Sequence, residues 1–121
     1  MNDLIMYVNA AGFLVMGLSG LAKPGQIPSL FGVAELPIDM RNEVRAVYGG
    51  FGVAMAILLV LATRNEALYG VVALTVGVAL LGMAGGRIVS LAIERCPGKM
   101  PYVSIVGECI FGGALLSVYL Q

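Results

Sequence analysis

The chain has 121 residues, 60% hydrophobic and 12% charged, with seven acidic and seven basic side chains, and a mean hydropathy of +0.96. Soluble domains are about half apolar and a quarter charged, so this composition belongs to a membrane protein of one domain, and zero net charge gives no support to a nucleic-acid partner. The chain contains no histidine, which excludes His-ligated haem, most zinc and copper sites, and the commonest general base.

Crossing a bilayer takes roughly 20 mostly apolar residues, and in hydrocarbon an apolar run of that length satisfies its backbone as a helix. The first such window is Leu4 to Ala22. No basic residue precedes it, so it reads as a retained helix and not as a cleaved signal peptide. Asn9 is expected near the terminus-bearing face, in a hydrogen bond to a neighbouring helix. The connection from Lys23 to Asn42 contains Pro24, Gly25, Pro28 and Pro37, which bar one regular helix. Within it, Ser29 to Val33 is apolar enough to lie in the membrane interface, and Asp39 is a predicted N-cap.

The second window runs from Val44 to Thr63. Arg64-Asn65-Glu66 then forces an antiparallel neighbour, which is the third window, Ala67 to Ile93. Glu94 to Lys99 carries the turn signal Cys96-Pro97-Gly98, and Met100 to Leu120 is the fourth window. Cys96 in a loop and Cys109 inside a helix read as ordinary small residues, with no disulfide expected. The expected fold is all-α: residues 1–121 form one integral membrane four-helix bundle.

Lys23, Arg41, Arg95 and Lys99 fall on the face opposite the termini, against Arg64 alone on the terminus face. The positive-inside rule therefore predicts periplasmic termini in a bacterial inner membrane. Small residues recur every four positions at Ala46, Gly50 and Ala54, and at Gly82, Gly86 and Ser90. Such ridges let helices approach closely. They are expected mainly within the bundle, with a homo-oligomer as an open addition.

Three charges fall inside the windows: Arg45, Arg87 and Glu108. A charge at mid-membrane costs about 3 kcal/mol on insertion scales, so such residues face the protein interior and find partners. Arg87 lies seven residues before the end of its span and Glu108 seven after Pro101, so at 1.5 Å per residue both sit about 10 Å deep. Their spans are antiparallel across a short turn, and the two side chains can meet, with a bidentate pair available. Arg45 enters from the same face, with Tyr48 expected one turn deeper beside it. The candidate ligand-binding constellation is Arg45, Tyr48, Arg87 and Glu108, with Glu43 and Glu94 as secondary charge partners. The same residues also read as a staple that locks helix register, with Arg45 snorkelling to the interface.

Glu43-Val44-Arg45 running into Tyr48-Gly49-Gly50, Gly86-Arg87-Ile88-Val89-Ser90, the turn Pro97-Gly98, and Gly107-Glu108 together resemble a family of small four-helix bacterial membrane proteins. That family is known as domain of unknown function 4345 and is grouped with DoxX-like proteins. The resemblance covers about Glu43 to Gly113 and implies a four-helix fold, a bacterial inner membrane, and a role for Arg45, Arg87 and Glu108. It implies no activity. Some DoxX-like proteins are linked to quinone-dependent sulfur oxidation or accompany redox enzymes, but no redox residues stand here to carry that over.

No nucleophile–base pair or metal-ligand cluster is present, so an enzyme is the least supported class. The leading expectation is a membrane protein that binds a lipid, a quinone or another small amphiphile at the Arg/Glu cluster. One alternative is a small proton-coupled transporter using Glu108. Another is an accessory subunit of a larger membrane complex, with a membrane-protein partner.

Overall fold

The computed structural model describes residues 1–121 and is helical, with no strand. Five helices form: α1 (Asn2–Ala22), α2 (Gln26–Leu30), α3 (Ile38–Ala62), α4 (Glu66–Ile93) and α5 (Met100–Leu120). All but α2 are long and apolar enough to cross a bilayer, so the chain is a multi-pass membrane protein. The helix termini follow local chemistry. The Asn65 side chain accepts from the Ala67 amide at 3.0 Å and caps α4. Pro101 stands in the first turn of α5, where its missing N–H has no cost.

The second span starts earlier than expected. Helical geometry begins at Ile38, after Pro37, so Asp39 lies in the first turn instead of at the N-cap. There its carboxylate complements the helix dipole. Inside α3, Arg45–Gly50 form a π-turn. The buried positions of α3 show its effect: Val44, Gly49, Gly52, Ala56, Leu59 and Ala62. Steps of three and four are ordinary for one helix face, whereas the step of five from Val44 to Gly49 requires the extra residue of a π-turn.

The helices pack as two tight pairs, α1 with α3 and α4 with α5. Glycine makes each contact close. A Cβ built on Gly17 would lie 2.6 Å from the Val53 nitrogen, and one on Gly52 would lie 2.8 Å from the Gly17 Cα. Across α4–α5, Gly77 and Gly112 face each other's carbonyl oxygens, at 3.1 and 3.0 Å from the built Cβ. Backbones that approach this closely gain dispersion contacts, the main drive for helix association in lipid. The ridges read from sequence lie elsewhere. Ala46, Gly50, Ala54, Gly82, Gly86 and Ser90 are all exposed, and a Cβ on Gly82 or Gly86 would meet nothing within 4 Å.

The two pairs share a core of Met6, Ala10, Leu59, Ala62, Val72, Ala73, Val76, Leu115 and Val118. Every one of these residues lies in the terminus-side half of its helix. Two polar contacts reinforce that end: Tyr69 donates to Asp3 at 2.5 Å, and the Tyr7 and Thr63 hydroxyls are 3.1 Å apart. Asn9 is buried beside this core, but its amide donates to the Ile5 carbonyl of its own helix at 3.0 Å. The bond expected across helices is thus made within α1.

The first connection, Pro24 to Pro37, forms a strap on the opposite face. It consists of α2 and an irregular stretch, separated by Gly32 at φ +87°, the one left-handed residue of the chain. Glycine reaches that conformation without a steric penalty.

Candidate functional site

α4 and α5 bring Arg87 and Glu108 together across the short Glu94–Lys99 connection. The Arg87 Nε donates to Glu108 Oε1 at 2.8 Å, and this is the only ion pair in the chain. Glu108 is buried, its side chain 10% exposed, while 26% of the Arg87 side chain is accessible. A buried carboxylate left unpaired is costly, so the arginine removes a penalty that burial on α5 creates. The contact runs through Nε alone and is not the bidentate fork the pair allows. The terminal nitrogens of Arg87 make no hydrogen bond to the protein.

The strap brings an aromatic ring to the Arg87 guanidinium. The Arg87 Cζ stands 5.7 Å from the centroid of the Phe31 ring, within cation–π range. Sequence reasoning placed Phe31 in the interface but not against Arg87. A loop-to-span contact of this kind has no periodicity to announce it. Arg87 therefore has its Nε on a carboxylate, its Cζ over an aromatic ring, and its outer N–H groups free to meet an acceptor.

Arg45 serves a different end. Its Nε donates to the Leu21 carbonyl at 3.2 Å, in the last turn of α1, where carbonyls have no partner in their own helix. The π-turn also separates Arg45 from Tyr48. A π-turn takes more than four residues to come round, so a residue three positions ahead falls short of the same face. Arg45 is exposed and Tyr48 half-buried, and their helix segment packs chiefly on α1. Glu43 and Glu94 are both exposed and outside any ion pair. Of the six residues, Arg87 and Glu108 are bonded to each other, and none of the other four makes a hydrogen bond or ion pair with either.

An open hollow of about 590 Å³ lies at the other end of the bundle, lined by Thr63, Arg64, Asn65, Glu66, Tyr69 and Tyr119 among others. It sits where helices end and water reaches, so its charges are solvated. Arg87 and Glu108 sit within spans, where charge is expensive and therefore informative. No three acidic or cysteine side chains converge anywhere in the chain.

Neither a curated protein nor a solved structure matches the chain. A family model described as a domain of unknown function, DUF4345, matches residues 1–119, including α1 and the strap, and the chain belongs to that family.

Proposed function

We propose that this protein binds a small amphiphile, a lipid or a quinone, by its polar head at Arg87 within the membrane. One observation carries the reading: a guanidinium inside a span commits only Nε to Glu108 and leaves its terminal nitrogens without protein acceptors. Free N–H donors at membrane depth favour an oxygen acceptor, because water is scarce there and an unmade hydrogen bond is costly. Phosphate, carboxylate and quinone carbonyl oxygens all have that chemistry, and the exposed apolar faces of α4 and α5 suit an acyl or prenyl tail. Arg45 and Tyr48 belong to the α1–α3 pair and support the bundle around the site. The excess of Lys and Arg on the strap face favours an inner-membrane orientation with periplasmic termini. Reporter fusions at the C-terminus, active only on one side, test that orientation.

Native mass spectrometry of protein extracted gently from its own membrane tests the binding. The wild type is expected to carry a discrete adduct that is missing from Arg87→Gln/Glu108→Gln, a variant that removes both charges and leaves no buried carboxylate alone. A bare wild-type chain, or an adduct equally retained by the variant, would overturn the reading.

A further inference from the structure

We infer that the Pro24–Pro37 strap is a lateral portal to Arg87, latched by Phe31, which admits the headgroup of an anionic phospholipid from the bilayer. The inference rests on the headgroup reading above and specifies its regulation and its ligand.

The strap is held lightly. Its backbone hydrogen bonds close on its own residues, on Lys23 and, at its far end, on the Arg41 amide, which donates to the Pro37 carbonyl at 3.0 Å. Among its side-chain hydrogen bonds, Ser29 to the Gln26 carbonyl stays inside the strap, and Ser19 to Gln26, at 3.0 Å, is the one that reaches a span. The remaining ties are the cation–π contact of Phe31 with Arg87 and the apolar packing of Pro24, which is buried, and of Ile27, Pro28 and Leu36, which are half-buried. Gly25 and Gly32 bracket α2 and Phe31, and a Cβ on either would meet nothing within 4 Å. These are two open pivots around a five-residue helix.

The strap also exposes apolar side chains around Phe31. Leu30 is 55% accessible, Phe31 41% and Val33 40%. Such side chains belong against lipid, so a strap released from Arg87 exchanges one apolar surrounding for another and exposes nothing to water. The shared core of the bundle lies wholly on the terminus side, so opening the strap disturbs none of it. A headgroup that reaches the free terminal N–H groups of Arg87 draws the guanidinium toward its oxygens and away from the Phe31 ring. On this face Lys23, Arg41, Arg45, Arg95 and Lys99 stand against Glu35, Asp39, Glu43 and Glu94 and leave one positive charge in excess, a bias that favours an anionic headgroup over a neutral one.

The chain has no tryptophan, so Phe31→Trp places a single tryptophan, excited apart from the tyrosines at the red edge of absorption, on the latch. In phosphatidylcholine vesicles with brominated acyl chains, Phe31→Trp is compared with the same change in the Arg87→Gln/Glu108→Gln background, each verified as helical by circular dichroism. Loss of the latch is expected to raise the lipid-quenched population roughly two- to fivefold, the size of an exposed cation–π contact. Phe31→Trp in an Arg87→Met/Glu108→Gln background, which likewise removes the cation and leaves no buried carboxylate alone, provides a second comparison should the first double change fail to fold. Adding phosphatidylglycerol to the bilayer should reproduce the released signal in the Arg87 protein, and inorganic phosphate in solution should not.

Equal quenching with and without the Arg87 guanidinium would overturn the latch while leaving the mass-spectrometric adduct, and so the headgroup reading, standing. Release by aqueous phosphate alone, or none with phosphatidylglycerol, would overturn the portal. An intact latch response in a protein that shows no adduct would count against the headgroup reading instead.

Discussion

Arg45 and Leu21 stand 24 positions apart, yet the arginine Nε donates to the leucine carbonyl at 3.2 Å. The second span thereby closes the frayed end of the first. This contact ties Arg45 to the packing of α1 on α3, with no hydrogen bond to Arg87 or Glu108.

Replacing Arg45 with Gln should therefore lower stability without affecting ligand retention. The bond is exposed, so the loss should be small, about 0.5–1 kcal/mol. Reversible unfolding in sodium dodecyl sulfate measures it, with native mass spectrometry beside it. A stable variant that has lost its adduct would return Arg45 to the binding site.

Glycine substitutions separate buried ridges from outward-facing ones. Gly17→Ala would place a methyl 2.6 Å from the Val53 nitrogen, and Gly52→Ala one 2.8 Å from the Gly17 Cα. Backbone atoms cannot yield as a flexible side chain can, so each should cost about 1–3 kcal/mol by forcing α1 and α3 apart. Gly82→Ala and Gly86→Ala meet nothing and should be neutral or stabilising by up to about 1 kcal/mol through helix propensity. A thermal melt of all four variants in one detergent checks the contrast, and equal losses at all four would contradict the packing described.

The α1–α4 hydroxyl contact makes a third test. Tyr69→Phe removes the donor to Asp3 but keeps the ring packed, and is expected to cost about 1 kcal/mol. Asp3→Asn keeps an acceptor and should cost less. If the order reversed in the same melts, the hydroxyl–carboxylate bond would not be what ties the N-terminus to α4.

Hydropathy and loop length were enough to read four antiparallel spans, because hydrocarbon permits long apolar runs few other conformations. Arg87 and Glu108 were legible for a related reason: each is costly alone, and a short turn makes their depths equal. The small-residue ridges were misplaced because a four-residue repeat shows which positions share a face but not where that face points. Gly17 and Gly20 meet Gly49 and Gly52 only after the π-turn shifts the phase of α3 by one residue, and no sequence period contains that shift. Phe31 was missed as a partner because its contact crosses from an irregular segment to a span 56 positions on.

The Arg87–Glu108 pair yields the most demanding prediction. Arg87→Gln alone leaves Glu108 buried without its cation and should cost about 2–3 kcal/mol, less than the roughly 3–5 kcal/mol of a fully buried pair because a quarter of Arg87 is exposed. Glu108→Gln alone leaves a guanidinium that can still reach an interfacial acceptor, so it should cost less. The double change removes both charges and should recover part of the loss, giving a coupling of at least about 1 kcal/mol in a double-mutant cycle. Additive single effects would mean that the 2.8 Å contact contributes nothing of its own. Coupling in stability, together with loss of the adduct from every variant lacking Arg87, would show one guanidinium serving both as helix staple and as headgroup site. Coupling with the adduct retained throughout would leave it the staple alone.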